Sequence, residues 1–292
     1  MAHSGLAPQV FGEDDATGIC VMEDLGDITL ADSLAAVDTV TASQGLLDLA
    51  DALGRLHGCA PALAPTLARL PVVPPLPLAA FTNICGALGI DAGRARSDLI
   101  EAERSMRSED PQLVLHGDVC PDNYVPGKST RVKGKFIDFE AAHRGNAMLD
   151  AACWHMPFPT CWRVARLPPE LPPRMDATYL AALGRQANVP DDPTFRRLMA
   201  AACIWWLVWC LTGKRFIEAK DERFAGDGLA SVRERGLLWL DNSVATIASE
   251  GEFGAAGDVA RDLAEQLRRR WAPLKGSPIY PAFMPGADRS RA

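Results

Sequence analysis

Apolar and polar positions alternate at short range at the start of this chain and at helical range over most of the rest. Residues 8–12 (PQVFG) and 19–22 (ICVM) are short apolar runs separated by the polar turn EDDATG, which predicts a β-hairpin. A polar connector, Glu23-Asp24-Leu25-Gly26-Asp27, follows. Thr29 with Asp32 three residues on is an N-cap signal for a short helix from 30 to about 37. Leu46, Leu49, Ala50, Leu53 and Leu56 recur at helical spacing and predict a helix over 42–57. Prolines 61, 65, 71, 74, 75 and 77 then forbid regular structure, so 61–78 is expected as an extended surface loop. Beyond it the pattern predicts a helix over 94–107 and short strands over 112–115 and 135–139. Helices are expected near 147–156, 176–188, 192–212, 228–249 and 256–271, with proline breaks at 157–159 and 168–173. A little sheet followed by mostly helix is an α+β order, not an alternating one.

Composition narrows the classes. The chain has 292 residues, 48% of them hydrophobic, enough for a sizeable core. The formal net charge is −7, which disfavours a protein that grips nucleic acid through phosphates. The longest apolar run, 198–211, is too short to span a bilayer, and the first residues lack a secretory pattern, so no membrane partner is expected. Eight scattered cysteines without a C-x-x-C pair read as reduced thiols in a cytoplasmic protein, not bridges or a zinc site. Residues 1–60 hold ten acids and one base, Arg55. That stretch reads first as a solvated surface; if functional, it would favour a cationic substrate. Trp205, Trp206 and Trp209 on the 192–212 helix read as core.

The chemistry is concentrated in two places. An apolar run delivers His116-Gly117-Asp118, with Asn123 five residues after Asp118, and a second run ends in Asp138 and Glu140. If the two strands bring their C-terminal ends together, Asp118, Asn123 and Asp138 share one small volume. An amide oxygen and a carboxylate suit Mg²⁺, leaving the other carboxylate to orient a hydroxyl and accept its proton. A thiol nucleophile at Cys120 lacks an orienting partner, and a zinc hydrolase built on His116 and Asp118 lacks ligand spacing at the other histidines.

The His-x-Asp-x-x-x-x-Asn spacing followed by Asp138 is that of the protein-kinase catalytic loop and metal-binding aspartate. HGDVCPDN with FIDFE resembles the aminoglycoside phosphotransferase and choline-kinase-like family more closely. CVMEDLG resembles that family's hinge between lobes, LADALGRLHG its helix ending in Leu-His, and Leu149-Asp150-Ala151-Ala152 its acidic residue after the metal aspartate. The resemblance implies a kinase-like fold, with residues 1–26 as a remnant N-terminal lobe and hinge and 27–292 as a helical C-terminal lobe carrying the catalytic loop at 113–140. It implies Asp118 as catalytic base or hydroxyl-orienting residue, and Asn123 and Asp138 as Mg²⁺ ligands. Backbone near Met22, Glu23, Asp24 and Leu25 would hold the purine of ATP or GTP. His116 would brace the loop, Glu140 and Asp122 would touch metal or substrate or stay solvated, and Asp150 would cap a helix. His57, at a helix end, reads as a cap too. The implied activity is transfer of a nucleotide γ-phosphoryl group to a small-molecule hydroxyl.

A glycine-rich loop and a strand lysine would normally precede the hinge, and neither does here: the first lysine is Lys128. A truncated chain, a degenerate relative, or completion by another chain would each account for this, and the intact catalytic loop favours truncation. The alternative function is a non-catalytic kinase-like binding protein. The open edge of the short N-terminal sheet is a place where copies would self-associate.

Overall fold

The computed structural model describes residues 5–59, 69–107, 113–127, 133–213, 221–223, 228–248, 251–272, 274 and 276–286. The expected hairpin forms: β1 (Val10–Asp14) pairs antiparallel with β2 (Ile19–Met22), with a register irregularity between Val10 and Gly12. Every residue of both strands is exposed, so the hairpin stands out from the rest of the structure. Its foot is fixed by Glu23, whose amide donates to Gln9 O (2.8 Å) and whose carboxylate accepts from Gln9 N (3.0 Å).

Helix α1 (Leu30–Ala35) begins where the sequence signal puts it. The Asp32 carboxylate accepts from the Thr29 amide (2.9 Å) and hydroxyl (3.0 Å), satisfying a donor that the first turn leaves over. Helix α2 (Thr39–Gly58) starts three residues before the expected 42, because Asp38 caps it through Thr41 N (3.1 Å). Its leucine row is wholly buried, largely against α6 (Leu171–Leu183). The two helices pack tightly at Gly54, where any Cβ would run into the Tyr179 carbonyl and Ala182.

Several elements depart from the sequence pattern. Residues 61–68 of the proline-rich stretch lie outside the described residues. The part that follows is extended but not all surface, since Val73 is fully buried and Val72 bridges to Arg144. Residues 78–87 form α3 (Leu78–Ala87), which the proline density concealed. Helix α6 starts at 171 rather than 176: Pro172 and Pro173 sit in its first turn, where a missing N–H breaks no helical bond. The predicted 147–156 helix is only α5 (Met148–Ala151), continued by a 3-10 turn, Ala152–Trp154. Helices α4 (Arg96–Arg107), α7 (Asp192–Gly213) and α9 (Gly254–Arg270) lie close to expectation, and α8 (Val232–Ala248) begins four residues late. Helix α7 is long and apolar enough to cross a membrane by length and composition, and most of its side chains, including Trp205 and Trp206, are buried in the core.

The strands around the motif pair differently from the simplest expectation. Strand β3 (Leu113–Leu115) pairs with β6 (His143–Gly145), and β4 (Tyr124–Val125) pairs with β5 (Lys135–Phe136), all antiparallel. Neither predicted strand pairs with the other. The run expected over 135–139 stops at 136, because Asp138 takes a left-handed conformation (φ 60°, ψ 66°) and opens a 3-10 turn, Phe139–Ala141. The order is therefore α+β, with three separate two-stranded sheets among the described residues.

Candidate active site

Strand β3 is buried at Val114 and Leu115 and delivers His116, itself fully buried, to the end of the sheet. Gly117 follows with φ +80°, a conformation that L side chains rarely adopt. A Cβ there would also collide with the Ala141 carbonyl, so glycine is needed on both counts.

The turn is held from beneath by Asp150. Its carboxylate accepts from the amides of His116 (2.6 Å) and Gly117 (3.1 Å) and from His57 Nε2 (3.3 Å). With that His57 tautomer, Nδ1 accepts the Tyr179 hydroxyl (2.9 Å). Burial by itself would raise the Asp150 pKa. The His57 hydrogen bond, with the electrostatic pull of the His57, His116 and His143 imidazoles, outweighs it and holds the carboxyl below its usual range. This corrects two expectations. Asp150 is not a helix cap, a task done by Asn146 Oδ1 for Met148 N (3.0 Å), and His57 is not a helix cap but a buried link from α2 to Asp150.

His116 is bonded on both sides of its ring. Its Nδ1 accepts from the Asp118 amide (3.3 Å), so Nε2 carries the proton and donates to Ile137 O (2.9 Å). One imidazole thus joins the loop after β3 to the segment after β5, a junction the strands do not make. Burial lowers its pKa against the opposing pull of Asp150, Asp118 and Asp138, so the ring stays neutral with three carboxylates around it.

Asp118 and Asn123 are in direct contact. Asn123 Nδ2 donates to the Asp118 carbonyl (3.1 Å) and to Oδ2 (2.9 Å), which leaves the amide oxygen for another partner. Asp118 Oδ1 is buried and has no hydrogen-bond partner among the described residues. A 3-10 turn, Pro121–Asn123, places Asn123, and Asn123 O accepts from Ile137 N (3.0 Å). Asp138 therefore emerges beside Asn123, exposed and in a backbone conformation costing about 1–2 kcal/mol for a non-glycine residue. Glu140 lies exposed in the following turn.

Among the connector residues, Met22 and Asp24 are exposed and Glu23 and Leu25 half-buried. Asp24 accepts from Gly26 N (2.8 Å) and so shapes its own turn. Glu23 reaches Lys135 Nζ at 2.6 Å, and that contact holds its carboxyl below the usual range. Lys135 lies on β5, the strand leading to Asp138. The sequence reading missed Lys135, His57 as a buried link, and Tyr179. Lys135 carried a faint signal, as a lone charge opening the second apolar run, whereas Tyr179 carried none.

An orphaned carboxylate oxygen, an amide tied to its neighbour and a second carboxylate on the adjoining segment are a set of oxygen groups suited to handling a hydroxyl next to a hard cation. Comparison with known proteins gives the family. A model described as the phosphotransferase enzyme family (APH) matches residues 1–199, and the chain belongs to that family. Among solved structures it is similar to the choline kinase LicA from Streptococcus pneumoniae, at 16% identity and TM-score 0.46, covering 85% of this chain and 76% of the other. It is also similar to a choline/ethanolamine kinase family protein from Mesorhizobium loti, at 15% identity and TM-score 0.46, covering 89% and 80%. No match was found among curated protein sequences.

Proposed function

We propose that the protein transfers the γ-phosphoryl group of ATP or GTP to a hydroxyl of a small molecule, in a Mg²⁺-dependent reaction. The observation that carries this reading is the buried, unpartnered Oδ1 of Asp118. A buried carboxylate oxygen without a donor costs free energy unless a ligand supplies one, and an acceptor hydroxyl would. Asp118 aligns that hydroxyl and takes its proton as the new O–P bond forms and the bond from the γ-phosphorus to the departing nucleoside diphosphate breaks. Asn123 keeps Oδ2 occupied, so the carboxylate cannot turn away from the substrate.

The donor set fits the metal. Asn123 Oδ1 and the exposed Asp138 carboxylate are hard oxygens on adjoining segments, and they would hold Mg²⁺. When bound, the ion supplies positive charge to the β- and γ-phosphate oxygens. Asp150 and His116 do not touch substrate in this scheme; they fix the loop that presents Asp118. Backbone at Met22–Leu25 would receive the purine edge. The acidic excess of the first 60 residues favours an amino alcohol or an aminoglycoside over a neutral sugar.

The test is calorimetric titration with ATP and GTP, with and without Mg²⁺, followed by turnover across a panel of amino alcohols, aminoglycosides and sugars. Mg²⁺-dependent nucleotide binding is expected. Asp118→Asn should lower turnover roughly 10²–10⁴-fold with an unchanged melting temperature. Unchanged turnover in that variant would remove Asp118 from the chemistry. A second reading, a ligand-binding protein without phosphoryl transfer, draws on the exposure of Val10, Phe11, Val21 and Met22 where a nucleotide would need cover. A folded sample that binds neither nucleotide would favour it.

A further inference from the structure

Two cysteines 41 positions apart in sequence meet beneath the catalytic loop. Cys120 and Cys161 are both buried, and Asp122 lies half-buried between them. The Cys120 thiol donates to Asp122 Oδ2 at 3.3 Å and the Cys161 thiol to the same oxygen at 3.1 Å. All three ligand atoms lie within 4.8 Å of one another. Cys161 is presented by a turn in which its amide donates to Phe158 O (3.0 Å) while buried Phe158 holds a positive φ of 52°.

Two further groups face this cluster. Tyr280 is 1% exposed; the Ala165 backbone lies against its hydroxyl oxygen, and the hydroxyl donates to no group among the described residues. Cys161, Cys120 and Asp122 all act electrostatically on it, which puts the phenol in the neighbourhood of the cluster. The Arg235 guanidinium, also buried, donates to the Cys161 carbonyl at 2.7 Å and is acted on by Cys161, Tyr280 and Cys120.

We propose that Cys120, Asp122 and Cys161 bind a thiophilic divalent cation of the Zn²⁺ class, with a water in the fourth position. A tetrahedral ion with bonds of about 2.3 Å to sulfur and about 2.0 Å to oxygen puts unlike ligands roughly 3.5 Å apart. The two sulfur–oxygen separations here are within a few tenths of that. Binding forms two metal–sulfur bonds and one metal–oxygen bond and releases the two thiol protons to solvent, with no change of oxidation state. Two thiolates, a carboxylate and a dication sum to −1, beside the positive charge of Arg235. The site ties the loop bearing Asp118 and Asn123 to the segment at 157–166, which is itself held to α1 by the Arg163–Asp32 ion pair (2.9 Å). This inference does not rest on the phosphotransfer reading. It replaces the expectation of independent thiols for two of the eight cysteines.

The full-length chain, purified under reducing conditions and stripped of metal, is titrated with Co²⁺ and followed by the sulfur-to-cobalt charge-transfer absorption. A band saturating at about one equivalent is expected, together with a higher melting temperature on adding Zn²⁺. Co²⁺ held by the oxygen ligands Asn123 and Asp138 gives no such band, so the two sites are told apart. Cys161→Ser and Cys120→Ser should each weaken or abolish the band, while Cys20→Ser, at an exposed position, should leave it intact. The wild-type titration decides the matter even if a cysteine variant fails to fold. Absence of the band in reduced, folded wild-type protein overturns the proposal. So does a Cys120–Cys161 disulfide, found by mass spectrometry in air-purified protein that carries no metal.

Discussion

Gly117 is the residue on which the loop geometry turns. It takes a left-handed conformation between two hydrogen-bonded neighbours, and the Ala141 carbonyl fills the space a side chain would need. Gly117→Ala is expected to cost about 1–2 kcal/mol from the backbone conformation, and more from displacement of the 139–141 turn. Urea unfolding would read the stability loss, and nucleotide titration would read any displacement of Asp118; wild-type values in both would refute the assignment. At this scale the sequence was informative where spacing alone carried meaning. His116, Asp118 and Asn123 fell within eight residues, and their mutual contacts follow from one tight turn. Asp150 was noticed for the wrong reason: an acid near a helix start suggests a cap, and only the tertiary approach of the loop amides makes it a brace. Cys161 gave no signal, because β4, β5, β6 and α5 separate it in sequence from its partners.

Helices and strands were legible to the extent that a buried face or a cap wrote itself into the sequence. The leucine row of α2 and the Thr29–Asp32 pair of α1 did so. Helix α3 did not, since only Phe81 and Cys85 are buried and prolines crowd its start. Strands β4 and β5 are two residues each, too short for any alternation to show. The contact of α2 with α6 gives a paired test. Gly54→Val should force the two helices apart at Tyr179 and Ala182 and cost about 1–3 kcal/mol by overpacking. Gly86→Ala, on α3 where a Cβ meets nothing, should instead stabilise by up to about 1 kcal/mol through helix propensity. Equal effects of the two substitutions, by chemical denaturation, would contradict this packing. Because Tyr179 also reaches His57, Gly54→Val should disturb the Asp150 network as well.

For the molecule as a whole, the buried network sets a response to acid. Burial lowers the His116 pKa from its ordinary 6.5, so the unfolded chain takes up a proton that the folded chain refuses. Stability should therefore fall as pH drops through the window between 6.5 and the lowered folded value. Asp150, also held below its ordinary 3.8, adds a second loss further down, as the pH falls through its lowered folded value. Unfolding free energies measured from pH 7.5 downward should slope accordingly, and His116→Asn should flatten the upper part. A flat profile in the wild type would show that His116 is not buried as a neutral base.

The Glu23–Lys135 contact has a mechanical corollary. At 2.6 Å it spans 112 positions of sequence and fastens the exposed hairpin's root to the strand that runs into Asp138. Any force that shifts residue 23 must either rupture that tie or drag β5 along with it. The hairpin's root and the segment that carries Asp138 would then travel as one piece.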